Sequence, residues 1–170
     1  MLRGYYAIYT GEQKAQRSET FTTTGHLSSQ LQVLAGLSVR AVFHAAAVSD
    51  FTFGNVWEQS PDGKLTQCKG GKISTRHGQL LAELVPTPKV IRELRNWFPL
   101  ALIVGWKFEV DGNRESAIAK AQQQIAENRT NACVTNGRAY GDGFGLVIQT
   151  GQCIHLADAA ALYAALEKFV

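Results

Sequence analysis

The sequence predicts an α/β fold: a Rossmann-like three-layer domain with a mostly parallel sheet, a flap insertion and a C-terminal hairpin. Short apolar segments typical of buried strands alternate with segments whose apolar residues recur at helical spacing. Residues 100–106, LALIVGW, form an uninterrupted apolar run of the kind that is buried on both faces of a parallel sheet. The chain has 170 residues, of which 45% are hydrophobic, so we expect a single domain over residues 1–170.

The first half of the chain predicts two strands, a helix and a flap. Residues 5–10, YYAIYT, read as a strand, and residues 27–35 place leucines three or four positions apart, as a helix requires. Residues 41–45 predict a second strand. Residues 52–86 are rich in Gly, Lys, Gln and Ser with weak periodicity, so they predict a mobile flap, of which a hairpin is one form.

A helix is predicted to begin at Thr87-Pro88. Threonine can cap a helix, and proline suits the first helical position because it has no N–H to leave unpaired. The apolar run 100–106 is the next strand. Residues 114–127 then predict a helix with Asn113 as its N-cap.

The C-terminal part of the sequence predicts a short strand, a hairpin and a closing helix. Residues 132–135 form the strand. Residues 145–149 and 153–156 flank a Thr-Gly pair, which indicates an antiparallel hairpin. Residues 158–169, rich in alanine and leucine, predict the final helix.

Composition narrows the class of protein. The formal charge of +3 is scattered along the chain, which is not the footprint of a nucleic-acid-binding surface. No segment approaches the roughly 20 apolar residues of a membrane span, and the N-terminus lacks signal-peptide features. Three cysteines (Cys68, Cys133 and Cys153) show no paired or metal-binding spacing, which favours reduced thiols and a cytoplasmic location.

The segment VFHAAAVSDF, residues 42–51, is the strongest indication of a ligand site. Three alanines would let a ligand approach the backbone, and Asp50 would lie just past a strand end, where ligands of open α/β sheets bind. The alternative is that Asp50 caps a turn or a helix start and that the alanines pack against a helix.

Three further residues have both a functional and a structural interpretation. Lys72, beside two glycines, could deliver a charge to phosphate from a mobile loop, or lie in a solvated turn. Lys120 lies within a predicted helix, where most lysines are solvated. His44 lies within a predicted strand, where a hydrogen-bonded core histidine is the common case. The four histidines share no metal-ligand spacing, so the metal ligands are unknown from the residues.

Taken in order, these motifs resemble phosphopantothenoylcysteine synthetase (phosphopantothenate–cysteine ligase). The matching pieces are AAAVSDF, a Lys-Ile pair, LVPTPKVI, VGWKFE, the helical Lys120 and NACVTNG. The resemblance covers roughly residues 41–136. It is carried by the order of the motifs, since each motif alone is common.

The resemblance implies an enzyme that joins 4′-phosphopantothenate to cysteine in coenzyme A biosynthesis. It implies CTP, or another nucleoside triphosphate, as a substrate, with Mg²⁺. The carboxylate is activated as an acyl-cytidylate with release of pyrophosphate; the cysteine amine then attacks and CMP leaves. The alternative is a nucleotide-binding module, sensory or structural, without ligase activity.

The resemblance also implies roles for individual residues. Asp50 would hydrogen-bond the nucleoside, Lys72 would act as the catalytic flap lysine on the triphosphate, and Lys120 would contact phosphate. Backbone near the end of the second strand and at a helix N-terminus would bind the nucleotide, and an aromatic residue would pack beside it. The residues assigned to nucleotide binding are His44, Ala45, Ala46, Asp50, Lys72, Pro88, Lys89, Val90, Ile91, Trp106 and Lys120.

The sequence departs from the family pattern in three places. The flap reads KIST where the family has further lysines, with Arg76 as the next cation, and Gln124 replaces a second helix lysine. The family's first strand and its Gly-Gly-Thr and Asn segment have no counterpart. We therefore expect a second polypeptide to supply that strand or, failing that, a closed sheet or a homo-oligomer paired edge to edge.

Overall fold

The computed structural model describes residues 4–9, 15–69 and 79–170. The chain divides into two compact units, one formed by Met1–Ala47 with Lys89–Val170 and the other by Val48–Pro88. That residues 1–170 form a single domain stays a prediction.

The chain orders its elements as follows. The strands are β1 (Gly4–Tyr9), β2 (Ala15–Phe21), β3 (Ala41–His44), β4 (Phe51–Gln59), β5 (Leu65–Gln67), β6 (Gln79–Pro86), β7 (Leu102–Phe108), β8 (Ala132–Asn136), β9 (Phe144–Ile148) and β10 (Cys153–Leu156). The helices are α1 (Thr24–Leu34), α2 (Val90–Trp97), α3 (Arg114–Asn128) and α4 (Ala159–Phe169). No helix in these described ranges is long and apolar enough to cross a membrane.

The first unit is built on a five-stranded sheet in the order β10-β9-β8-β7-β3. β3, β7 and β8 are parallel, whereas β9 runs antiparallel to β8 and to β10. All strands except β9 therefore point the same way, as the prediction of a mostly parallel sheet requires.

Helices cover both faces of this sheet, which gives the three predicted layers. On one face, Cys133 and Val147 pack against the α3 residues Ala121 and Ile125. On the other face, Val134 packs in a cluster with Leu162 and Leu166 of α4. Because period-two alternation sends neighbouring strand residues to opposite faces, both faces of β8 are apolar and buried.

Of the remaining helices of this unit, α2 packs against α3, and α1 packs against α2. α1 buries Leu27 and Leu31, and α2 buries Val90, Ile91 and Leu94. β1 pairs with β2 as a separate antiparallel sheet. The sequence predicted β1 but gave no indication of β2.

The second unit is a three-stranded antiparallel sheet in the order β5-β4-β6. It confirms hairpin structure in the flap, since the consecutive strands β4 and β5 pair antiparallel, and β6 pairs with the other edge of β4. The segment between β5 and β6 includes Lys72 and Arg76, which lie outside the described residues.

The predicted start of α2 is wrong, because the helix begins at Val90 with Lys89 as N-cap. The Thr87 amide donates to the Asp50 carbonyl at 2.9 Å, and its hydroxyl donates to the Ser49 carbonyl. These bonds to the start of β4 hold Thr87 in the second unit, so it cannot cap the helix. The predicted N-cap of α3 is confirmed: Asn113 accepts from the Ser116 amide at 2.9 Å in a reciprocal capping box.

The turn after β8 is locked to the residue that follows β7. The Glu109 amide donates to the Asn136 carbonyl at 2.9 Å, and the Glu109 carbonyl accepts from the Ala139 amide at 3.0 Å. Gly137 adopts φ 108°, and a Cβ placed there would lie 2.5 Å from the Glu109 carbonyl oxygen. Only glycine fits this approach of two backbones.

Gly137→Ala should therefore destabilise the protein more than Gly141→Ala. Both glycines have positive φ, but a Cβ at Gly141 would meet nothing within 4 Å. We expect Gly141→Ala to lower the free energy of unfolding by about 1 kcal/mol through strain alone, and Gly137→Ala by about 3 kcal/mol or more. Urea denaturation measures both; equal losses would show that the contact with Glu109 is not tight.

Candidate functional site

The carboxyl ends of three parallel strands form one edge of the central sheet, which we call the carboxyl edge. β3 ends at His44, β7 at Phe108 and β8 at Asn136, and Phe108 pairs with Asn136. Such an edge is where open α/β sheets bind ligands.

A three-residue charged cluster lies at the end of β7. Lys107 Nζ is 3.3 Å from Glu109 Oε1, and Lys120 of α3 donates a hydrogen bond to Glu109 Oε2. The Glu109 side chain is only 11% exposed, whereas those of Lys107 and Lys120 are 40% and 45% exposed. The two ammonium groups thus share one buried carboxylate while remaining open to solvent.

The charge of Glu109 is stabilised by these lysines. Burial alone raises the pKa of the Glu109 carboxyl, but the hydrogen bonds and charges of Lys120 and Lys107 outweigh burial and hold the pKa below its usual value. The carboxylate therefore remains ionised at neutral pH. With two cations and one anion, the cluster has a net positive charge.

His44 lies on the face of the sheet that α2 and α3 cover. It pairs with Gly105 of β7, and a Cβ at Gly105 would meet Ile91 of α2 and Gln124 of α3. Burial lowers the pKa of His44 to about 4, so the ring is neutral at physiological pH. Ala45 and Ala46 follow directly, and Ala45 is exposed.

The N-terminus of α2 points toward the carboxyl edge. Ile91, in its first turn, lies against the middle of β7, and the helix leads to the beginning of that strand. Lys89 makes no side-chain capping bond, which leaves first-turn amides such as those of Val90 and Ile91 for other acceptors. Pro88 belongs to the second unit and precedes the helix.

Trp106 lies on the opposite face of the sheet from Gly105. It is half-buried and packs against the apolar cluster formed with α4. The structure thus places it on β7 near the carboxyl edge, with part of its surface accessible.

Asp50 lies in the second unit, at the start of β4. It is exposed, and its carbonyl accepts from the Thr87 amide. The side chain that makes local turn bonds is Ser49, whose hydroxyl donates to the Phe51 carbonyl at 2.5 Å. The predicted catalytic residue Lys72 lies outside the described residues, and Lys69 is exposed.

Gln124, which replaces a family lysine, faces the sheet. Its amide nitrogen donates to the Trp106 carbonyl at 3.2 Å, and its amide oxygen accepts from the Cys133 thiol at 2.6 Å. Burial raises the pKa of Cys133 to about 12, so the thiol stays protonated as that donor. Gln124 therefore fixes α3 on β7 and β8.

Sequence reasoning missed the roles of Lys107 and Glu109. Both are in the VGWKFE motif, but their pairing with Lys120 depends on the contact between β7 and α3. A lysine two residues before a glutamate at a strand end, followed by a helix that carries a lysine, is the signal that could have indicated it.

Comparisons with known proteins found similarity to proteins whose names refer to coenzyme A biosynthesis or pantothenate metabolism. No protein-family model matches the chain. Over 121 residues it is 31% identical to the coenzyme A biosynthesis bifunctional protein CoaBC of Thermococcus kodakarensis, an alignment that covers 70% of this chain and 27% of that protein. The chain thus spans about a quarter of the length of this curated relative.

Solved structures share its fold. The DNA/pantothenate metabolism flavoprotein from Streptococcus pneumoniae matches with a TM-score of 0.67 and 20% identity, covering 88% of this chain and 72% of that one. A Cab2 mutant in complex with phosphopantothenate-cysteine matches with a TM-score of 0.54 and 24% identity, covering 80% and 45%. These findings confirm the Rossmann-like fold and, with the curated relative, the resemblance that the ordered motifs predict.

The low pKa of His44 predicts an acid-sensitive fold. The unfolded chain binds a proton at His44 near pH 6.5, but the folded protein resists it down to about pH 4. The contribution of His44 to the free energy of unfolding is therefore fully present above pH 6.5. It falls as the pH decreases, by about 2 kcal/mol at pH 5. His44→Asn should reduce the loss between pH 7.5 and pH 5 in chemical denaturation.

His26→Asn is the control, because His26 is exposed. In this variant the loss of stability that we assign to His44 should persist. If the His44 ring titrates near pH 6.5 by NMR, burial does not control its protonation.

Proposed function

We propose, from this resemblance to the phosphopantothenoylcysteine synthetase family, that the chain is the nucleotide-binding part of a phosphopantothenate–cysteine ligase. Its substrates would be 4′-phosphopantothenate, cysteine and CTP, in coenzyme A biosynthesis. The observation that carries the proposal is the position of Lys120: the lysine that the family motif assigns to phosphate lies beside a second lysine at the carboxyl edge.

The chemistry needs charge neutralisation and positioning more than covalent catalysis. Lys120 and the flap lysine Lys72 would offset the charge of the triphosphate, and the first-turn amides at Val90 and Ile91 would donate to an anion at a helix N-terminus. Backbone at His44–Ala46, the Asp50 carboxylate and Trp106 would fix the nucleoside. Pyrophosphate would leave as the acyl-cytidylate forms, and the cysteine amine would then displace CMP.

Mg²⁺ would enter with the triphosphate. Proteins commonly hold this ion through substrate phosphates and one or two carboxylates. Because the Glu109 carboxylate already forms ion pairs with two lysines, we expect phosphate oxygens and water to supply most of the metal ligands.

We further propose that a strand supplied by a second polypeptide pairs with β3. Within the described sheet β3 is the terminal strand, bonded to β7 on one side. Phe43 on this strand is 43% exposed. A strand edge of this kind is a template for β-addition, and in the resembled family the neighbouring strand precedes the asparagine that the chemistry needs.

A nucleotide-binding module without ligase activity is the second candidate. It is favoured by Gln124, which is engaged with the sheet and so cannot take the place of the family's second phosphate lysine. Such a module would bind a nucleotide without forming pyrophosphate.

CTP should bind with a Kd in the micromolar to millimolar range, roughly −8 to −4 kcal/mol, and should require Mg²⁺. Calorimetry with CTP, ATP, GTP and UTP, with and without Mg²⁺, measures it. Lys72→Ala should weaken binding at an unchanged thermal midpoint, whereas Lys69→Ala is the matched control on the same segment. Absence of heat with every nucleotide, with the partner chain present, would exclude the proposal.

Co-expression with a chain that carries the Gly-Gly-Thr and Asn segment should yield a stable complex. The added strand would pair the free edge of β3, and the complex should show ligase activity that neither chain shows alone. Size-exclusion chromatography and a pyrophosphate-release assay measure these. A well-folded monomer that does not bind the partner chain would contradict the proposal of a split enzyme and favour the nucleotide-binding module.

A further inference from the structure

Glu109 forms ion pairs with Lys107 and Lys120, the two lysines that would bind the proposed triphosphate. Its two carboxylate oxygens are divided between the lysines: Oε1 lies near Lys107 and Oε2 accepts from Lys120. A lysine ammonium has three donors, so each lysine can still bind a further acceptor. The carboxylate nevertheless cancels part of the positive charge at this point.

The carboxylate cannot easily move aside. The Glu109 amide donates to the carbonyl of Asn136, the last residue of β8, and its carbonyl accepts from Ala139 in the turn that follows. Gly137 packs directly on the Glu109 backbone. The side chain is nearly buried, whereas both lysines are substantially exposed. An incoming anion would therefore draw the lysines toward itself while Glu109 stays in place.

We infer that Glu109 is a fixed internal counter-charge that sets the affinity of the carboxyl edge for polyphosphate. This inference rests on the proposed function for its ligand. Glu109 holds Lys107 and Lys120 at the site and weakens their grip on a polyanion, so that pyrophosphate can leave after the first step. The Glu109 carboxylate and a bound polyphosphate are both negative, so they repel strongly when they lie a few ångströms apart in a partly desolvated site. This repulsion outweighs the benefit of Glu109 in ordering the two lysine side chains before the anion binds.

The inference predicts that Glu109→Gln tightens polyphosphate binding. The amide keeps the shape and one acceptor but removes the negative charge. We expect the Kd for inorganic tripolyphosphate and for pyrophosphate to fall about tenfold, with a steeper dependence on salt. Glu115→Gln, an exposed carboxylate in the first turn of α3, changes the net charge equally and should shift the Kd less than twofold.

A double mutant tests whether the gain acts through Lys120. In a protein that already carries Lys120→Gln, Glu109→Gln should lower the Kd by less than half of the factor that it gives in the otherwise unchanged protein. Thermal midpoints of all variants are recorded, and calorimetry at two salt concentrations measures binding. An unchanged or weaker affinity in a folded Glu109→Gln protein overturns the inference, as does an equal gain from Glu115→Gln.

These outcomes are distinct from failure of the proposed function. If tripolyphosphate binds and Glu109→Gln tightens it, but CTP does not bind, the counter-charge stands and the nucleotide proposal fails. If CTP binds and Glu109→Gln leaves its Kd unchanged, the nucleotide proposal stands and Glu109 has only a structural role.

Discussion

The attachment of Glu109 to the turn after β8 is the constraint on which the carboxyl edge depends. Its backbone joins the end of β7 to Asn136 and Ala139, and its carboxylate joins β7 to Lys120 of α3. One residue therefore connects two parallel strands, a glycine turn and a helix. The position of the two lysines follows from that connection, because both lysines are anchored on the same carboxylate.

Sequence patterns predicted those helices, strands and turns that depend on interactions between residues close together in the chain. The Asn113 cap, the Thr-Gly turn between β9 and β10, and the apolar stripe of α4 each depend on residues a few positions apart. The predicted start of α2 was wrong because Thr87 forms hydrogen bonds with residues nearly forty positions earlier in the chain, just before β4. β2 was missed because its sequence, AQRSETF, has no long apolar run and its pairing with β1 decides its structure.

The site shows the same division between local and distant causes. The family motifs pointed to Lys120 and Asp50, but the partners of Lys120 could not be predicted, since Glu109 and Lys120 meet only when α3 packs beside β7. Gln124 is the converse case. The resemblance aligns it with a lysine, yet its amide bonds to the Trp106 carbonyl and the Cys133 thiol, so this position carries no cation and connects α3 to the sheet.

Binding of the triphosphate at the carboxyl edge can be seen in a crystal structure of the protein with CTP and Mg²⁺, grown with the partner chain if one is needed. We expect triphosphate oxygens within hydrogen-bond distance of Lys120 Nζ, with Glu109 unmoved and still bonded to the turn after β8. A nucleotide bound away from the carboxyl edge, with Lys120 paired to Glu109 alone, would contradict it.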